Sequence, residues 1–381
     1  MVVAVCQRIF RAPSAYPERQ KMHPSDVSES KRMIMNDSAS AENKCLYNED
    51  ILSNIMPPVL LLEFVFGLMG NLFTIWITWW HIKVWSGFTV YLFNLALADL
   101  LFVVQLPLRI AYHLRVNDWI LGEFSCDLMI TLFYTNMYGS IYFLTCISVE
   151  RWQAIDRPLH SLARKSPGRA TIISLAMWAL AIIPQIGMPL IFDLIHDSSN
   201  KTNCLSFNQE GVMLGFGIWN TVEVIIGFLI PFIIIIFVQI KITHKLLCPS
   251  MNPGLEQMRK RASRLMIIIL VIFATCFVPI HIFRVFLVAA KLYLPKNCGL
   301  NQLAFEGVYW SLLLSSCNCF MDPLILFASG NRFRRAAALA VSACVGRTRG
   351  AAKGRTTSST INMHSLEAKE NESGHQGVPG C

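Results

Sequence analysis

The chain has 381 residues, of which 54% are hydrophobic and 15% charged, and its formal net charge is +9 at pH 7. Soluble domains carry about 25% charged residues, so this balance excludes an ordinary soluble domain. The excess of Lys and Arg lies mostly in short segments between apolar blocks and in the last part of the chain. It therefore gives little support to nucleic-acid binding.

Seven apolar blocks of roughly 20 to 28 residues follow one another, which is the length at which a helix crosses about 30 Å of hydrocarbon. In hydrocarbon every backbone N–H and C=O has to be satisfied within its own segment, so the blocks are predicted to be α-helices. The predicted fold is an all-α bundle of seven transmembrane helices. The spans are 54–80, 88–113, 124–151, 170–195, 215–243, 264–290 and 303–328.

The regions outside the blocks divide the rest of the chain. Residues 1–53 and 344–381 are polar and without periodicity, so both are predicted to be disordered tails flanking a transmembrane domain at 54–329. Residues 330–343 combine an apolar side with three arginines and predict a short amphipathic helix lying on the membrane surface. Cys344, just beyond it, is a candidate for palmitoylation.

Loop cations orient the bundle. One set of loops, together with the segment after the last span, holds most of them, including Lys83, Arg164, Lys245 and Arg259. Because Lys and Arg accumulate in cytoplasmic loops, this set is predicted to be cytoplasmic. The N-terminus is then outside and the C-terminus inside, as expected for a multi-pass membrane protein with an odd number of spans.

Besides Cys6 near the start of the chain, four of the twelve cysteines fall at the outer side: Cys45, Cys126, Cys204 and Cys298. In an oxidising compartment they allow two disulfides in three possible pairings. Asn36 and Asn200 begin outer glycosylation sequons. The residues alone leave the pairing open.

Seven sequence landmarks occur in the order of the predicted helices. They are GNLFTIW (70–76), NLALADLLF (94–102), Cys126 with SVERW (148–152), Trp178, Pro231, FATCFVP (273–279) and NCFMDPLIL (318–326). In this order they resemble the rhodopsin-like G protein-coupled receptors, over residues 54–343. The resemblance implies a plasma-membrane receptor, not an enzyme, that signals through a heterotrimeric G protein, and arrestin and membrane lipids are further expected partners. It also implies a Cys126–Cys204 disulfide and, from the nucleotide-receptor branch, a Cys45–Cys298 disulfide.

Two branches of that family are similar to different parts of the chain. FYTNMYGSIYFLTCIS (133–148) and VPIHIFR (278–284) resemble purinergic (nucleotide) receptors, whereas LLLEFVFGLMGN (60–71) resembles the hydroxycarboxylic-acid and oxo-eicosanoid receptors. Met137 stands where hydroxycarboxylic-acid receptors have an arginine. Residues 304–314 carry no cation where nucleotide receptors often have one. A carboxylate metabolite or acidic lipid is therefore preferred over a nucleotide, and an inhibitory-type G protein is expected from the branch. Two further functions compete with this prediction: a non-signalling decoy receptor and, less favoured, a transporter or channel.

The outer layer of polar residues predicts the ligand site. Arg109 and His113 share a face of the second helix, and His281 and Arg284 share a face of the sixth. Guanidinium groups grip carboxylates through two parallel hydrogen bonds, so an anion site is predicted. The alternative is that the arginines snorkel to the headgroups or pair with Glu306 or Glu210. Aromatic wall residues complete the predicted site: Tyr112, Tyr134, Tyr138 and Phe277.

The middle and inner layers predict a metal site and a switch. Asp99, Ser140, Asn318 and Asp322 combine two carboxylates with neutral oxygen donors, which suits a sodium ion, although a purely architectural network is the alternative. At the cytoplasmic rim, Glu150 and Arg151 are implied by the resemblance to form the G protein switch together with Asp322. Leu326 replaces the tyrosine that the family usually has there, and Arg259 stands where some resting receptors have an acid. A weak cytoplasmic latch is therefore expected.

Overall fold

The structure is a computed structural model, and it describes residues 50–156, 167–187, 195–196, 202–204, 213–247, 253–328, Ala338 and Ser342. The two tails, most of the predicted surface helix and the predicted modification sites Asn36, Asn200 and Cys344 lie outside these residues. The predictions for them therefore stay predictions.

Seven helices follow one another in the described residues, several of them in consecutive pieces. Helix α1 is Asp50–Trp76 with a π-helical turn at Ile77–His81, and α2 is Gly87–Val103 with Leu106–Leu114. Helix α3 is Glu123–Asp156 and α4 is Pro167–Ile186. Helix α5 is Met213–Val222, a π-helical turn at Glu223–Leu229, and Ile230–Leu247. Helix α6 is Pro253–Ile272, a π-helical turn at Phe273–Phe277, and Val278–Tyr293, and α7 is Cys298–Ser316, Asn318–Met321 and Pro323–Ala328. The predicted seven-helix bundle is confirmed.

Five of these helices, α1, α2, α4, α5 and α6, are long and apolar enough to cross a membrane by length and composition, judged on the described residues. Helices α3 and α7 carry polar residues at buried positions, among them Asn136, Ser140, Ser311 and Asn318. These polar side chains lower the mean hydropathy of the two helices.

A short β-hairpin lies between α4 and α5, where the sequence predicted no strand. Strand β1 (Ile195–His196) pairs antiparallel with β2 (Thr202–Asn203), with Ile195 opposite Asn203. The predicted end of the fourth span at residue 195 is therefore wrong, because α4 ends at Ile186 and Ile195 belongs to the hairpin. An apolar residue paired in a hairpin is not distinguishable by composition from the end of a transmembrane helix.

The hairpin is fixed to the start of α3. Cys204 forms a disulfide with Cys126, with 5.8 Å between their Cα atoms, as predicted. The backbone N–H of Trp119 donates to the carbonyl oxygen of Thr202 at 2.7 Å, and the carboxylate of Asp118 accepts from the N–H of Thr202 at 3.1 Å. We call this end of the bundle the disulfide end and the opposite one the basic end.

The second predicted disulfide is tested only at one of its cysteines. Cys298, at the start of α7, is disulfide-bonded. Cys45 lies outside the described residues, so the pairing of these two cysteines stays a prediction.

Helix α3 is central, packing against α2, α4, α5 and α6, while α1 packs against α2 and α7. Buried amides connect the outer helices. The side-chain N–H of Asn71 on α1 donates to the carbonyl oxygen of Cys319 on α7 at 2.6 Å, and the indole N–H of Trp178 on α4 donates to Asn94 on α2 at 2.8 Å. Hydrogen bonds of this kind hold helices together where burial of apolar surface cannot.

Two of the π-helical turns immediately precede prolines. The turn at Glu223–Leu229 comes before Pro231 on α5, and the turn at Phe273–Phe277 comes before Pro279 on α6. Proline lacks an N–H and crowds the preceding turn, which favours such wide turns. The wide turns place Glu223 and Phe277 next to the cluster of polar residues described below.

Candidate ligand and switch sites

Arg284 lies completely buried on α6 at the level of the predicted ligand site. Its Nη1 donates a hydrogen bond to the hydroxyl oxygen of Tyr138 on α3 at 3.0 Å. Its guanidinium carbon lies 5.0 Å from the ring centre of Tyr134 and 4.5 Å from that of Trp219 on α5. Cations over aromatic faces at these distances are attracted by the rings. Arg284 therefore faces the bundle interior and does not snorkel to the headgroups.

Tyr134 connects the cations of α2 and α6. Its ring packs edge-on against Trp219, and both Arg284 and Arg109 lie within electrostatic range of it. Its hydroxyl is buried and has no hydrogen-bond partner in the described part of the chain. An unsatisfied buried hydroxyl is costly, so this group suits a contact with a bound ligand.

His281 lies one turn from Arg284 and is tied to its own helix. Its Nδ1 is 2.7 Å from the carbonyl oxygen of Phe277, to which it donates. Its ring stacks on Phe228 of α5, with centroids 4.2 Å apart, and meets Tyr138 edge-on. The ring of Phe277 packs edge-on against Phe273.

A stack of near-parallel rings continues from His281 along the contact of α5 with α6. Phe228 stacks on Phe232 and on Phe273 with centroids 5.6 Å apart in each pair, and Phe232 stacks on Phe273 at 5.4 Å. The angles between these ring planes are 9° to 19°. The predicted ligand site is thus in direct ring contact with the middle of the bundle.

Arg109 is the buried cation of α2, and its guanidinium carbon lies 5.3 Å from the ring centre of Phe133 on α3. His113, one turn on, contacts Asn117 through Nδ1 and the amide oxygen at 2.8 Å. Asn117 has a positive φ of 60°, so this bond stabilises the turn that follows α2. Tyr112 packs edge-on against Trp119. Arg109 therefore points toward α3, whereas His113 and Tyr112 support the adjoining turn.

Two buried acids, which the sequence left without a role, accompany the two cations. The carboxylate of Glu223 on α5 accepts from the side-chain N–H of Gln185 at 3.0 Å and lies within electrostatic range of Arg284. The carboxylate of Glu63 on α1 accepts from the hydroxyl of Ser316 at 2.9 Å and lies within range of Arg109. The site therefore combines two cations with two acids.

The middle layer is a buried polar cluster between α2, α3 and α7. Asp99 accepts from the side-chain N–H of Asn136 at 2.8 Å, a residue that the sequence did not single out. Several further side-chain atoms are buried and have no hydrogen-bond partner in the described part of the chain: Oδ2 of Asp99, Oγ of Ser140, both amide atoms of Asn318 and both carboxylate oxygens of Asp322. Two carboxylates with hydroxyl and amide oxygens fit a hard cation such as sodium.

At the basic end, Glu150 and Arg151 point to different neighbours. The guanidinium carbon of Arg151 lies 3.5 Å from the ring centre of Phe88 on α2. The carboxylate of Glu150 lies against Gly87, the first residue of α2, where a Cβ atom would come within 2.9 Å of Oε1. Within the described chain, no salt bridge joins Glu150 to Arg151. The predicted pairing of the two stays a prediction.

Other contacts connect the basic ends of α3, α5 and α6. Lys245 on α5 forms a salt bridge with Asp156 on α3 at 3.1 Å. Arg259 on α6 donates from Nη1 to the backbone carbonyl oxygen of Lys245 at 2.9 Å. A cation at the C-terminus of a helix satisfies its free carbonyl groups and suits its dipole. The cation at position 259 therefore attaches α6 to α5, whereas an acid there would repel that end of α5.

Comparison with known proteins decides the family. The description "7 transmembrane receptor (rhodopsin family)" matches residues 70–326, well over half of the chain. The chain is a rhodopsin-family receptor. The resemblance drawn from the sequence landmarks is thereby confirmed, and the family implies an extracellular ligand and a G protein partner for this plasma-membrane protein.

Relatives of the receptor come from both expected branches. The receptor is 33% identical to purinoceptor 1 of Meleagris gallopavo over 302 residues, which cover 78% of this chain and 83% of that protein. It is 34% identical to purinoceptor 1 of Gallus gallus over 283 residues, covering 74% and 77%. It is 29% identical to hydroxycarboxylic acid receptor 3 of Homo sapiens over 311 residues, covering 80% and 78%.

Two residues next to Arg284 were given no role from the sequence, Trp219 and Glu223. They are four residues apart on α5 and so share a face, which is a detectable signal. The spacing does not reveal, however, that this face of α5 meets Arg284 of α6. In contrast, the placement of Arg284 and His281 near Tyr138 agrees with their predicted common face.

Proposed function

We propose that the receptor binds a small anionic ligand, an acidic lipid or a carboxylate metabolite, at the disulfide end, and that this end is extracellular. The observation that carries the proposal is the placement of Arg284, buried among Tyr138, Tyr134 and Trp219. A guanidinium fixed in this way can meet a carboxylate without losing much side-chain freedom. Arg109, on the other side of Tyr134, is the second cation of the proposed site.

The charges of the site argue against a ligand with several negative charges. Glu223 and Glu63 lie within electrostatic range of the two cations and offset them. A triphosphate needs several cations to replace its hydration. A nucleotide is nevertheless the second candidate, because relatives that share a third of the sequence are named purinoceptors.

At the basic end, the receptor activates a heterotrimeric G protein, for which we propose the inhibitory type, and arrestin is a further proposed partner. Arg151, stacked on Phe88, is the group that turns toward the G protein when α6 moves outward. Asp99, Ser140, Asn318 and Asp322 hold a sodium ion in the resting receptor. Their buried oxygen atoms without hydrogen-bond partners in the described part of the chain support this assignment.

The ligand proposal is tested with a panel of nucleotides, hydroxy acids and oxidised fatty acids applied to cells that express the receptor, with G protein activation as the readout. Arg284→Ala and Arg109→Ala are each expected to weaken the response to the active anion by roughly 10- to 100-fold, because a hydrogen bond to a charged group contributes about 1.5–3 kcal/mol. Lys296→Ala, at an exposed cation between α6 and α7, is the matched control and is expected to respond like the wild type. Unchanged responses in both arginine variants would place the anion elsewhere.

A further inference from the structure

A cavity of about 620 Å³ lies between α2, α3, α4 and α5, away from the proposed ligand site. It extends from the basic end, at Gly87 and Arg169, to the middle of α5. Much of its wall is apolar, and Leu180, Ile226 and Ile230 in that wall are each between 44% and 49% exposed. The cavity therefore faces the lipid side of the bundle, and its volume is in the range of small-ligand sites, about 300–1,000 Å³.

The part of the cavity nearest the basic end is polar, as expected where its wall reaches the level of the lipid headgroups. Its wall there includes Tyr91, Thr145, Glu150, Gln153 and Arg169. Arg169, in the first turn of α4, is exposed, and Glu150 is half-buried. Both lie within electrostatic range of the hydroxyl of Tyr91, so a lipid headgroup can reach the two charges together.

Of the described residues that line the cavity, three are charged, and one of these is already paired. Asp156 forms its salt bridge with Lys245. Glu150 and Arg169 form no salt bridge to any residue that the structure describes. The described part of the wall thus presents one acid and one cation that a ligand could engage, both within range of the Tyr91 hydroxyl.

We propose that this cavity binds one single-chain phospholipid with a zwitterionic head that carries a primary ammonium, as in lysophosphatidylethanolamine. The ammonium donates to the carboxylate of Glu150, the phosphate accepts from Arg169, and the acyl chain lies along the apolar wall of α4 and α5. A purely anionic amphiphile would be repelled by Glu150, and a purely cationic one by Arg169. A primary ammonium has three donors, which suit Glu150 together with the hydroxyl groups of Tyr91 and Thr145, whereas a quaternary ammonium has none.

A lipid bound in the cavity would also affect the neighbouring switch residues Glu150 and Arg151. This consequence, unlike the binding, rests on the proposed function. Glu150 precedes Arg151 in the chain, so an ammonium bound to Glu150 competes with any pairing of the two. The lipid keeps Glu150 directed toward α2 and α4, and Arg151 remains on Phe88. The binding itself does not depend on signalling.

The test measures lipid retention on the full-length receptor in detergent micelles by native mass spectrometry. Lysophosphatidylethanolamine is added to the wild type, Glu150→Gln and Arg169→Ala, with lysophosphatidylcholine and lysophosphatidylglycerol of the same chain as comparisons. We expect one retained lysophosphatidylethanolamine on the wild type and roughly tenfold less on each variant, because each loses a charge-assisted contact. The matched controls Glu256→Gln and Arg261→Ala, which change charges on α6 outside the cavity, are expected to retain the lipid.

Three results would overturn the proposal. Equal retention on all variants would mean that the lipid is only an unspecific part of the micelle. Equal or stronger retention of lysophosphatidylglycerol would mean a simple anion site, and equal retention of lysophosphatidylcholine would mean that the ammonium donors are not used. None of these outcomes depends on whether the receptor signals, so they are distinguishable from failure of the proposed function.

Cys146 gives a second readout within the same cavity. It lines the wall, is only partly buried and forms no disulfide. Lysophosphatidylethanolamine is expected to slow its labelling by a small maleimide in the wild type and not in Glu150→Gln. Cys276 is buried away from the cavity, so a low degree of labelling there verifies that each variant is folded. If the lipid leaves the rate of Cys146 labelling unchanged in the folded wild type, the proposal is contradicted.

Discussion

At the scale of single residues, aromatic rings hold the side chain of Arg284 in position, and a nearby acid partly offsets its positive charge. Tyr138 accepts its hydrogen bond, while Glu223 lies within electrostatic range on α5. An anionic ligand has to approach Arg284 in the presence of this carboxylate. Glu223 is therefore expected to lower the affinity of the proposed site for anions and to limit the number of charges that a ligand can bring.

Replacing Glu223 by glutamine is expected to strengthen the binding of an active anion, by up to about tenfold, or roughly 1.4 kcal/mol. Glutamine keeps an oxygen that can accept from Gln185, so the contact between α4 and α5 is retained while the negative charge is removed. Competition binding with the active ligand measures the change. Glu306→Gln, an acid of α7 that accepts from Gln302, is the control. Weaker binding in Glu223→Gln would show that the acid supports the site.

The residue scale also shows what the sequence can predict of the site. Arg284 and His281 were found because spacing along one helix fixes a common face, and the structure brings both to Tyr138. Glu223 and Glu63 were left without a role, since spacing within a helix does not reveal which neighbouring helix that face meets. The role of such buried acids can be assigned only when the packing of the helices is known.

At the scale of helices, the polar cluster of Asp99, Ser140, Asn318 and Asp322 joins α2, α3 and α7. A cation bound there favours the packed arrangement of the three helices and so disfavours the active state. Agonist affinity is therefore expected to fall severalfold as sodium replaces a large organic cation at constant ionic strength. Asp99→Asn should abolish this dependence, because the site loses a charged ligand to the metal. A sodium effect that survives in Asp99→Asn would contradict the assignment.

The basic ends of α5 and α6 are attached to each other and to α3. Arg259 donates to the carbonyl oxygen of Lys245, whose side chain forms a salt bridge with Asp156. The sequence predicted a weak latch here because a basic residue stands at position 259. The hydrogen bond from Arg259 to a backbone carbonyl of α5 was not predictable, because every residue has a backbone carbonyl and the sequence does not show which one is close.

Lys245→Ala is expected to raise G protein activation in the absence of ligand by a few-fold, because it removes the connection of α5 to α3. Partly exposed salt bridges contribute only about 0–1 kcal/mol, which sets the size of the effect. Lys241→Ala is the control, since Lys241 lies over Phe237 and outside this set of contacts. Basal activity equal to that of the wild type would mean that the salt bridge does not restrain the receptor.

At the scale of the whole molecule, hydrophobic blocks predicted the number and order of the helices, because their length is set by the bilayer. Their ends were less predictable. Helix α6 begins at Pro253, well before the predicted residue 264, because a helix can continue into water with a polar first part. The hairpin between α4 and α5 was missed because its strands are only two residues long and depend on the disulfide and on Trp119.

Measuring G protein activation in the wild type and in a Leu326→Tyr variant distinguishes a signalling receptor from a decoy. Leu326→Tyr introduces the hydroxyl group that the family usually has at this position, and it is expected to raise ligand-dependent G protein activation severalfold. Leu324→Tyr, at a position that is 51% exposed on the same helix, is the control. Absence of any activation in the wild type, without ligand and with every ligand tested, combined with activation in Leu326→Tyr, would support the decoy.

The ring stack of His281, Phe228, Phe232 and Phe273 has a mechanical consequence for the movement of α6. Offset, nearly parallel rings keep most of their van der Waals contact when one of them shifts a little within its own plane. The planes of the three phenylalanine rings differ by only 9° to 19°, so α6 is expected to shift along these planes more readily than across them. A ligand that displaces His281 is therefore expected to move Phe273 and α6 along the ring planes, while contact with Phe228 and Phe232 of α5 is kept.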